Sequence, residues 1–181
     1  MKPTYTITAF SENHIGLLNR ITIIFTRRLV NIETLTVSQS AIPGIHKFTI
    51  VVREDQDKVE KVVKQIDKQV EVLKAFYHPD EEIVHQEIAL YKVPTEELLN
   101  STTLEETIRR HNARILEVMP EYTVIEKTGH KQETQDLFDD LSKYGVKQFT
   151  RSGRVAVTKL SQELLSNYLT ELENNEKENN N

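Results

Sequence analysis

The residues best suited to bind a ligand lie in a short stretch, Ser-Glu-Asn-His-Ile-Gly, at positions 11–16. This stretch separates an alternating, strand-like segment from an amphipathic one, which predicts a loop at which a helix begins. The first N–H groups of a helix have no acceptor within the helix, and they form the positive end of its dipole. A ligand carboxylate is therefore well suited to this position.

Two residues of the loop have properties that such a site needs. Gly16 lacks the Cβ that would keep a ligand away from the backbone, although it could equally be only a turn residue. The Asn13 side chain could either cap the helix or contact the ligand, and the residues alone leave both roles open. Asn31, the first residue of the next predicted strand, could be a ligand group or only the start of that strand.

Together with Asn31, the loop is typical of an amino-acid sensor. Backbone N–H groups would take the ligand carboxylate, an amide oxygen would take its ammonium group, and neighbouring apolar side chains would enclose its side chain. His14 could contact the ligand or titrate near neutral pH, but a single loop histidine is more often merely exposed. The candidate effector-binding residues are Asn13, His14, Ile15, Gly16, Leu17, Leu18, Asn31 and Ile32.

Catalysis by this chain is the weaker hypothesis. The sequence has no Cys, which excludes thiolate chemistry and Cys-based zinc sites, and it has no recognisable Ser, His and acid motif. Histidines and acids cluster near position 80, but their spacing matches no standard metal motif, and a Pro-containing acidic segment is usually a solvated linker. That cluster comprises His78, Asp80, Glu81, Glu82 and His85.

The composition indicates an ordinary globular protein. The 181 residues suffice for one domain or two small ones, and 38% are hydrophobic while 28% are charged. The net charge is -5, of which residues 171–181 contribute three negative charges, and no basic stripe favours nucleic acid as a partner. No apolar run approaches membrane-spanning length, and the first residues resemble no signal or transit peptide, so we expect a cytoplasmic protein without membrane contact.

The first half of the chain predicts the element order strand, helix, strand, strand, helix, strand. This order is the split βαβ arrangement, an antiparallel sheet with both helices on one face. The other face must be solvated or paired. The predicted strands cover residues 5–10, 31–41, 48–52 and 70–77, and the predicted helices cover residues 15–28 and 57–68.

The second half repeats that order after a predicted linker at residues 78–82. Thr103 and Glu106 form a capping-box signal in front of a helix that ends near His111. A hairpin, another helix and a closing strand follow, at residues 115–126, 132–141 and 146–149. The predicted fold class is therefore α+β, with two tandem ferredoxin-like (βαββαβ) domains at residues 1–79 and 80–160.

Residues 161–181 are predicted to form a terminal helix and a disordered tail. Ser161 could cap this helix, whose apolar residues recur at helical spacing. They are Leu164, Leu165, Tyr168, Leu169 and Leu172.

Two motifs resemble a known family. Asn-His-Ile-Gly-Leu-Leu at 13–18 and Arg-Arg-Leu-Val-Asn-Ile-Glu-Thr-Leu-Thr-Val at 27–37 are similar, in residues and spacing, to the regulatory small subunit of acetohydroxyacid (acetolactate) synthase. The resemblance extends to about position 160 and includes Arg-Ser-Gly at 151–153. This segment could contact the catalytic subunit, make a contact between the two domains or form a plain hairpin turn. The resemblance implies that the first domain is an ACT domain.

The resemblance also implies a function without chemistry in this chain. ACT domains would form a homodimer that binds valine at the paired interface, with Asn13 and Gly16 in the effector loop and Asn31 opposite. The subunit would activate a separate large catalytic subunit and confer valine inhibition. Thiamine diphosphate, Mg and FAD would belong to that large subunit. Leu29 stands where the family usually has Gly. The alternative is a free-standing ACT-type sensor that regulates another enzyme.

Overall fold

The computed structural model describes residues 2–100, 102–161, 165, 167, 168 and 170. Contacts divide these residues into two compact units, one reaching Val84 and resuming at Ala156, the other comprising His85–Val155. The domain limits drawn from the sequence at positions 79 and 160 stay a prediction. None of the described helices is long and apolar enough to cross a membrane.

The first unit contains a four-stranded antiparallel sheet and two helices. Its strands follow the order β2-β3-β1-β4, so β2 runs parallel to β1 and forms one edge of the sheet. This topology confirms the predicted ferredoxin-like fold. The elements are β1 (Thr4–Glu12), α1 (Leu17–Arg27), β2 (Ile32–Gln39), β3 (Ile45–Arg53), α2 (Gln56–Ile66) and β4 (Val72–Pro79).

The core of the first unit lies between the sheet and the two helices. Alternate residues of β1 face it, because successive strand residues point to opposite sides, and helical spacing supplies the facing side chains. Burial of these side chains is the main force that holds the helices against the sheet. The core residues of β1, α1 and α2 include Tyr5, Ile7, Ala9, Leu17, Ile21, Ile24, Phe25, Val59, Val62, Val63 and Ile66.

The opposite face of the first sheet is partly covered by the end of the same chain. Residues 156–158, 160 and 161 line a cavity of about 480 Å³ together with sheet residues such as Thr6 and Phe10. Lys47 Nζ donates a hydrogen bond to the Ala156 carbonyl at 2.7 Å. This face was expected to be solvated or paired, and residues 156–158, 160 and 161 of the same chain cover the part of it around Thr6 and Phe10.

Some residues of the predicted terminal helix belong to the described part of the chain. Leu165 and Tyr168 are helical, and Leu165 is only 1% exposed. Lys74 Nζ lies 5.4 Å from the centroid of the Tyr168 ring. The remaining apolar residues predicted for this helix, and the predicted disordered tail at 171–181, lie outside the described residues.

The second unit repeats the topology of the first. Its sheet has the order β6-β7-β5-β8, and a further strand, β9, also pairs with β5. Tyr91, Leu104, Ile125 and Leu137 lie in its core. The elements from β5 onward are β5 (Ile83–Val93), α3 (Thr95–Asn100), α4 (Thr102–Arg110), β6 (Arg114–Val118), β7 (Thr123–Gly129), α5 (Lys131–Ser142), β8 (Gln148–Arg151) and β9 (Val155–Thr158). The first two residues of β5, and β9 apart from Val155, belong to the first unit by their contacts.

Two connections differ in local structure from the sequence prediction. Residues 78 and 79 complete β4, and a single 3-10 turn, Asp80–Glu82, leads directly into β5, so no extended linker is present there. Residues 151–153 do not form a hairpin turn, because β8 and β9 both pair with β5 rather than with each other. Ser152 is held by backbone and side-chain hydrogen bonds to Ile88.

Candidate effector site

Gly16 has the backbone conformation that the loop between β1 and α1 requires. Its φ of 85° and ψ of -7° lie in the left-handed region, which glycine adopts without steric strain. Gly16 occupies the N-cap position of α1, and no side chain of the described residues caps the helix there. The alternative in which Asn13 caps the helix is therefore wrong.

The start of α1 offers backbone donors to a ligand. The first hydrogen bond within the helix runs from the Arg20 N–H to the Gly16 carbonyl at 3.1 Å, and the Leu17 N–H bonds the His14 carbonyl at 3.3 Å. The Leu18 and Asn19 N–H groups have no acceptor among the described residues. Together with the helix dipole, these donors suit a carboxylate.

The side chains of the loop are open to solvent, except at the first helical residue. Asn13 and His14 are exposed, and Ile15 is 99% exposed. Leu18 is also exposed, whereas the Leu17 side chain lies in the core. Ile15 and Leu18 can therefore enclose an apolar ligand side chain, but Leu17 can contact a ligand only through its backbone.

Asn31 follows the turn that ends α1. The Leu29 N–H bonds the Thr26 carbonyl at 3.1 Å, and the Val30 N–H bonds the Phe25 carbonyl at 3.0 Å, which is the Schellman pattern. Leu29 has a φ of 52°, a left-handed conformation that explains why glycine suits this position. Beyond the turn, Asn31 is exposed, and its Nδ2 donates to Glu33 Oε1 at 3.4 Å.

One chain does not bring the two halves of the predicted site together. The loop and Asn31 lie at opposite ends of the 11-residue helix α1, about 16 Å apart along its axis. The sheet register agrees, because Ile32 pairs with Val52 at one end, whereas Ser11 pairs with His46 at the other. A site that uses both halves needs two copies of the chain.

Glu71 is a charged neighbour of the loop that no sequence motif revealed. Its backbone carbonyl accepts the Glu12 N–H at 3.0 Å, and its Oε1 accepts a hydrogen bond from Arg20 Nη2 at 2.6 Å. The hydrogen bond from Arg20, with a smaller contribution from the charge of His14, holds the pKa of the Glu71 carboxyl below its usual value. Its Oε2 is buried without a hydrogen-bond partner among the described residues.

No group of three or more His, Cys, Asp or Glu residues that could hold a metal occurs in the described part of the chain. The His78 ring contacts Glu82 Oε2 at 2.9 Å, an interaction that links the end of β4 to the 3-10 turn.

Two ferredoxin-like units in tandem, the first with an open glycine loop at a helix start, define a protein of the ACT class. Residues 7–74 match the family described as "AHAS small subunit-like ACT domain", and residues 86–160 match the family described as "Small subunit of acetolactate synthase". The chain belongs to the acetolactate synthase small-subunit family.

Similar proteins cover almost the whole chain. The acetolactate synthase small subunit of Bacillus subtilis is 34% identical over 171 residues, which are 94% of this chain and 98% of that protein. The probable small subunit of Methanothermobacter thermautotrophicus is 31% identical, with coverage of 88% and 95%. The crystal structure of the small subunit from Thermotoga maritima is 28% identical and superposes with a TM-score of 0.77, covering 88% of this chain and 99% of that one.

Proposed function

We propose that this chain activates the catalytic subunit of an acetolactate synthase and makes it sensitive to inhibition by valine. It would do so as a homodimer in the cytoplasm, and the thiamine diphosphate, Mg and FAD of the complex would belong to the catalytic subunit. Membership of the acetolactate synthase small-subunit family supports the catalytic subunit as the partner. The proposal that two copies share the effector site rests on one observation: the loop and Asn31 lie at opposite ends of α1.

The edge strand β2 offers a way to bring the two halves together. An edge strand has unpaired backbone groups, which can pair with the same strand of a second copy. In an antiparallel β2–β2 pair, the beginning of one strand lies beside the end of the other. Because β2 is parallel to β1, this arrangement brings Asn31 of one copy to the end of the sheet where the other copy has its loop at residues 13–16.

Each of the two equivalent sites would then suit valine. The open N–H groups of α1 would bind its carboxylate, and the Asn31 amide oxygen of the other copy would accept from its ammonium group. Ile15 and Leu18 would cover the isopropyl group, and burial of a side chain of this size contributes about 1.5–3 kcal/mol. That contribution would favour branched-chain amino acids over smaller ones.

Inhibition requires that valine bind one arrangement of the small subunit better than another. A difference of about 1–3 kcal/mol changes the affinity or activity of the catalytic subunit by about 5- to 150-fold. Calorimetry on the purified protein with valine, leucine and isoleucine tests the sensor, with about one ligand bound per chain expected from a symmetric dimer. Absence of binding by all three amino acids would overturn the proposed sensor.

A mixing experiment tests whether each site is shared between copies. Gly16→Asp and Asn31→Ala homodimers are each expected to bind valine weakly. A mixed dimer would have one site with both changes and one site with neither. If the two variants are unfolded and refolded together, about half of the dimers should be mixed, so about one site in four should be restored. No recovery, despite formation of mixed dimers, would contradict the shared site.

Reconstitution with the catalytic subunit tests the partner. The small subunit should raise synthase activity, and valine should reverse that increase. Valine binding without any effect on the synthase would favour the alternative, a free-standing ACT-type sensor of another enzyme.

A further inference from the structure

A lysine of α2 donates a hydrogen bond to the turn that precedes Asn31. Lys58 Nζ donates a hydrogen bond to the Leu29 carbonyl at 3.2 Å. The Leu29 side chain is 85% exposed, so it contributes little packing to hold the turn. Because Leu29 is in the left-handed region, the turn is also under backbone strain. The bond from Lys58 therefore opposes relaxation of a strained peptide.

The buried carboxylate of Glu54 positions Lys58. Its Nζ lies 3.1 Å from Glu54 Oε2, and the other Glu54 oxygen accepts hydrogen bonds from Lys2 and from the Asp55 N–H. Glu54 is only 6% exposed. The hydrogen bonds from Lys2, the Asp55 N–H and Lys58 lower the pKa of the Glu54 carboxyl to about 2, so it stays charged at physiological pH.

Asn31 depends on this turn for its position. It is exposed, and within the described part of the chain its side chain makes a single long hydrogen bond, 3.4 Å, to the neighbouring Glu33. The path of the backbone through Leu29 and Val30 therefore determines where the amide is presented. A binding group that is not itself packed needs support from the residues behind it if it is to meet a ligand in one geometry.

We infer that Lys58, held by Glu54, is a positioning residue that presents Asn31 to an amino-acid effector bound at the loop of a second copy. This inference rests on the proposed function. Lys58 does not touch the ligand in this arrangement. It acts through the Leu29 carbonyl, and its loss would leave Asn31 present but poorly oriented.

The test compares two lysines of α2 in the full-length protein. Lys58→Met keeps the aliphatic part of the side chain and removes the donor to Leu29. Lys64→Met is the matched control, because Lys64 forms an i,i+4 ion pair with Glu60 at 2.6 Å on the same helix. Lys58→Arg keeps a donor and is the conservative variant. The probe is L-valine, measured by calorimetry, and thermal unfolding is recorded for every variant.

We expect Lys58→Met to weaken valine binding about fivefold, Lys58→Arg to recover most of that loss, and Lys64→Met to leave the affinity unchanged. A purely structural role would lower the unfolding temperature of Lys58→Met without changing its affinity, and this result would overturn the inference. Weakening that disappears at higher protein concentration would reflect loss of the dimer and would overturn it as well.

A double variant separates this inference from the proposed function. If Lys58 acts through Asn31, the Asn31→Ala/Lys58→Met protein should bind valine no more weakly than Asn31→Ala alone. Additive losses would overturn the positioning role. If Asn31→Ala by itself leaves valine binding intact, the proposed site fails. If it weakens binding whereas Lys58→Met does not, only the positioning role fails.

Discussion

The two units share one topology, but their first helices begin in different ways. In the first unit four residues separate β1 from α1, and the helix starts at a left-handed glycine without a side-chain cap. In the second unit only Pro94 separates β5 from α3. There the buried Thr95 donates to the Met119 carbonyl at 2.6 Å and lies 3.0 Å from Thr123 Oγ1.

This difference favours the first unit as the place of a ligand site at a helix start. Pro94 has no N–H, and the hydroxyl of the buried Thr95 bonds within the unit, so this position is packed. The loop before α1 is exposed instead, and the Leu18 and Asn19 N–H groups behind it have no acceptor among the described residues. Of these two helix starts, we therefore expect an amino-acid site at α1. Four sets of substitutions test the loop, the turns and the ion pair that distinguish the first unit, from the largest expected effect to the smallest.

The largest effect is expected for Gly16→Asp. The new carboxylate would lie where the ligand carboxylate binds, and two such charges about 4 Å apart repel by about 1–4 kcal/mol, so valine binding should fall about 10- to 1000-fold. Gly145→Asp in the second unit is the control, because Gly145 is also left-handed, with φ 72°, and a Cβ there meets no described atom within 4 Å. Both variants should lose similar stability in thermal unfolding. Equal loss of valine binding in both would contradict the contrast.

Asn31→Ala should weaken valine binding about 10-fold or more, since a hydrogen bond to a charged group contributes about 1.5–3 kcal/mol. The free energy of unfolding should change by less than about 0.5 kcal/mol, because Asn31 is exposed. Calorimetry and urea unfolding measure the two quantities. Ser38→Ala, at an exposed position of the same edge strand, is the control. A large loss of stability with unchanged affinity would assign Asn31 a structural role.

The turns that follow α1 and α4 have different residues at the left-handed position. Asn112 has φ 50°, and the Schellman bonds at the end of α4 match those at Leu29. Asparagine tolerates this conformation better than leucine. Leu29→Asn should therefore stabilise the protein by about 1 kcal/mol, and Asn112→Leu should destabilise it by a similar amount. Urea unfolding measures both, and changes of the same sign would contradict this explanation.

The smallest effect concerns the pH dependence of stability. The pKa of Glu71 is lowered from an ordinary value of 4.5 in the folded protein, mainly by Arg20. The charged Glu71 therefore contributes its full stabilisation at pH values above the pKa that Glu71 has in the unfolded chain. This stabilisation is lost as the pH falls through the lowered pKa of the folded protein. Glu71→Gln should reduce stability slightly at neutral pH and flatten its fall below pH 4.5. Glu81→Gln, an exposed change, should preserve the wild-type profile. If the stability of Glu71→Gln fell with decreasing pH as steeply as that of the wild type, this result would contradict the role of the hydrogen bond from Arg20.

Much of the fold could be predicted from local patterns. The apolar spacing in α1 and α2 and the alternation in β1 each follow from burial on one face of a regular element. The four-residue strand β9 was missed, since its sequence, Val-Ala-Val-Thr, is too short for a periodic signal and its partner β5 is remote in the chain. The packing of residues from Ala156 onward on the outer face of the first sheet was also missed, because it too joins residues that are remote in the chain.

The candidate site was predictable in its residue types but not in its geometry. The sequence indicated a glycine loop and an asparagine, and it left open whether Asn13 caps the helix. The predicted helix at 15–28 already lay between the loop and Asn31, but only the strand pairing shows that β2 is an edge strand parallel to β1. Glu71 beside the loop and Lys58 behind the turn carry no sequence motif, because their contacts join residues far apart in sequence.

The contribution of residues from Ala156 onward to the first unit has a consequence for synthesis. After Pro79 has been made, a ribosome adding about 5–20 residues per second needs about 4–15 s to reach Ala156. During that time the four strands of the first sheet exist without the segment that supplies the Ala156 carbonyl to Lys47. The first unit is thus completed last, and a fragment that ends at Val84 would lack part of the domain it is meant to isolate.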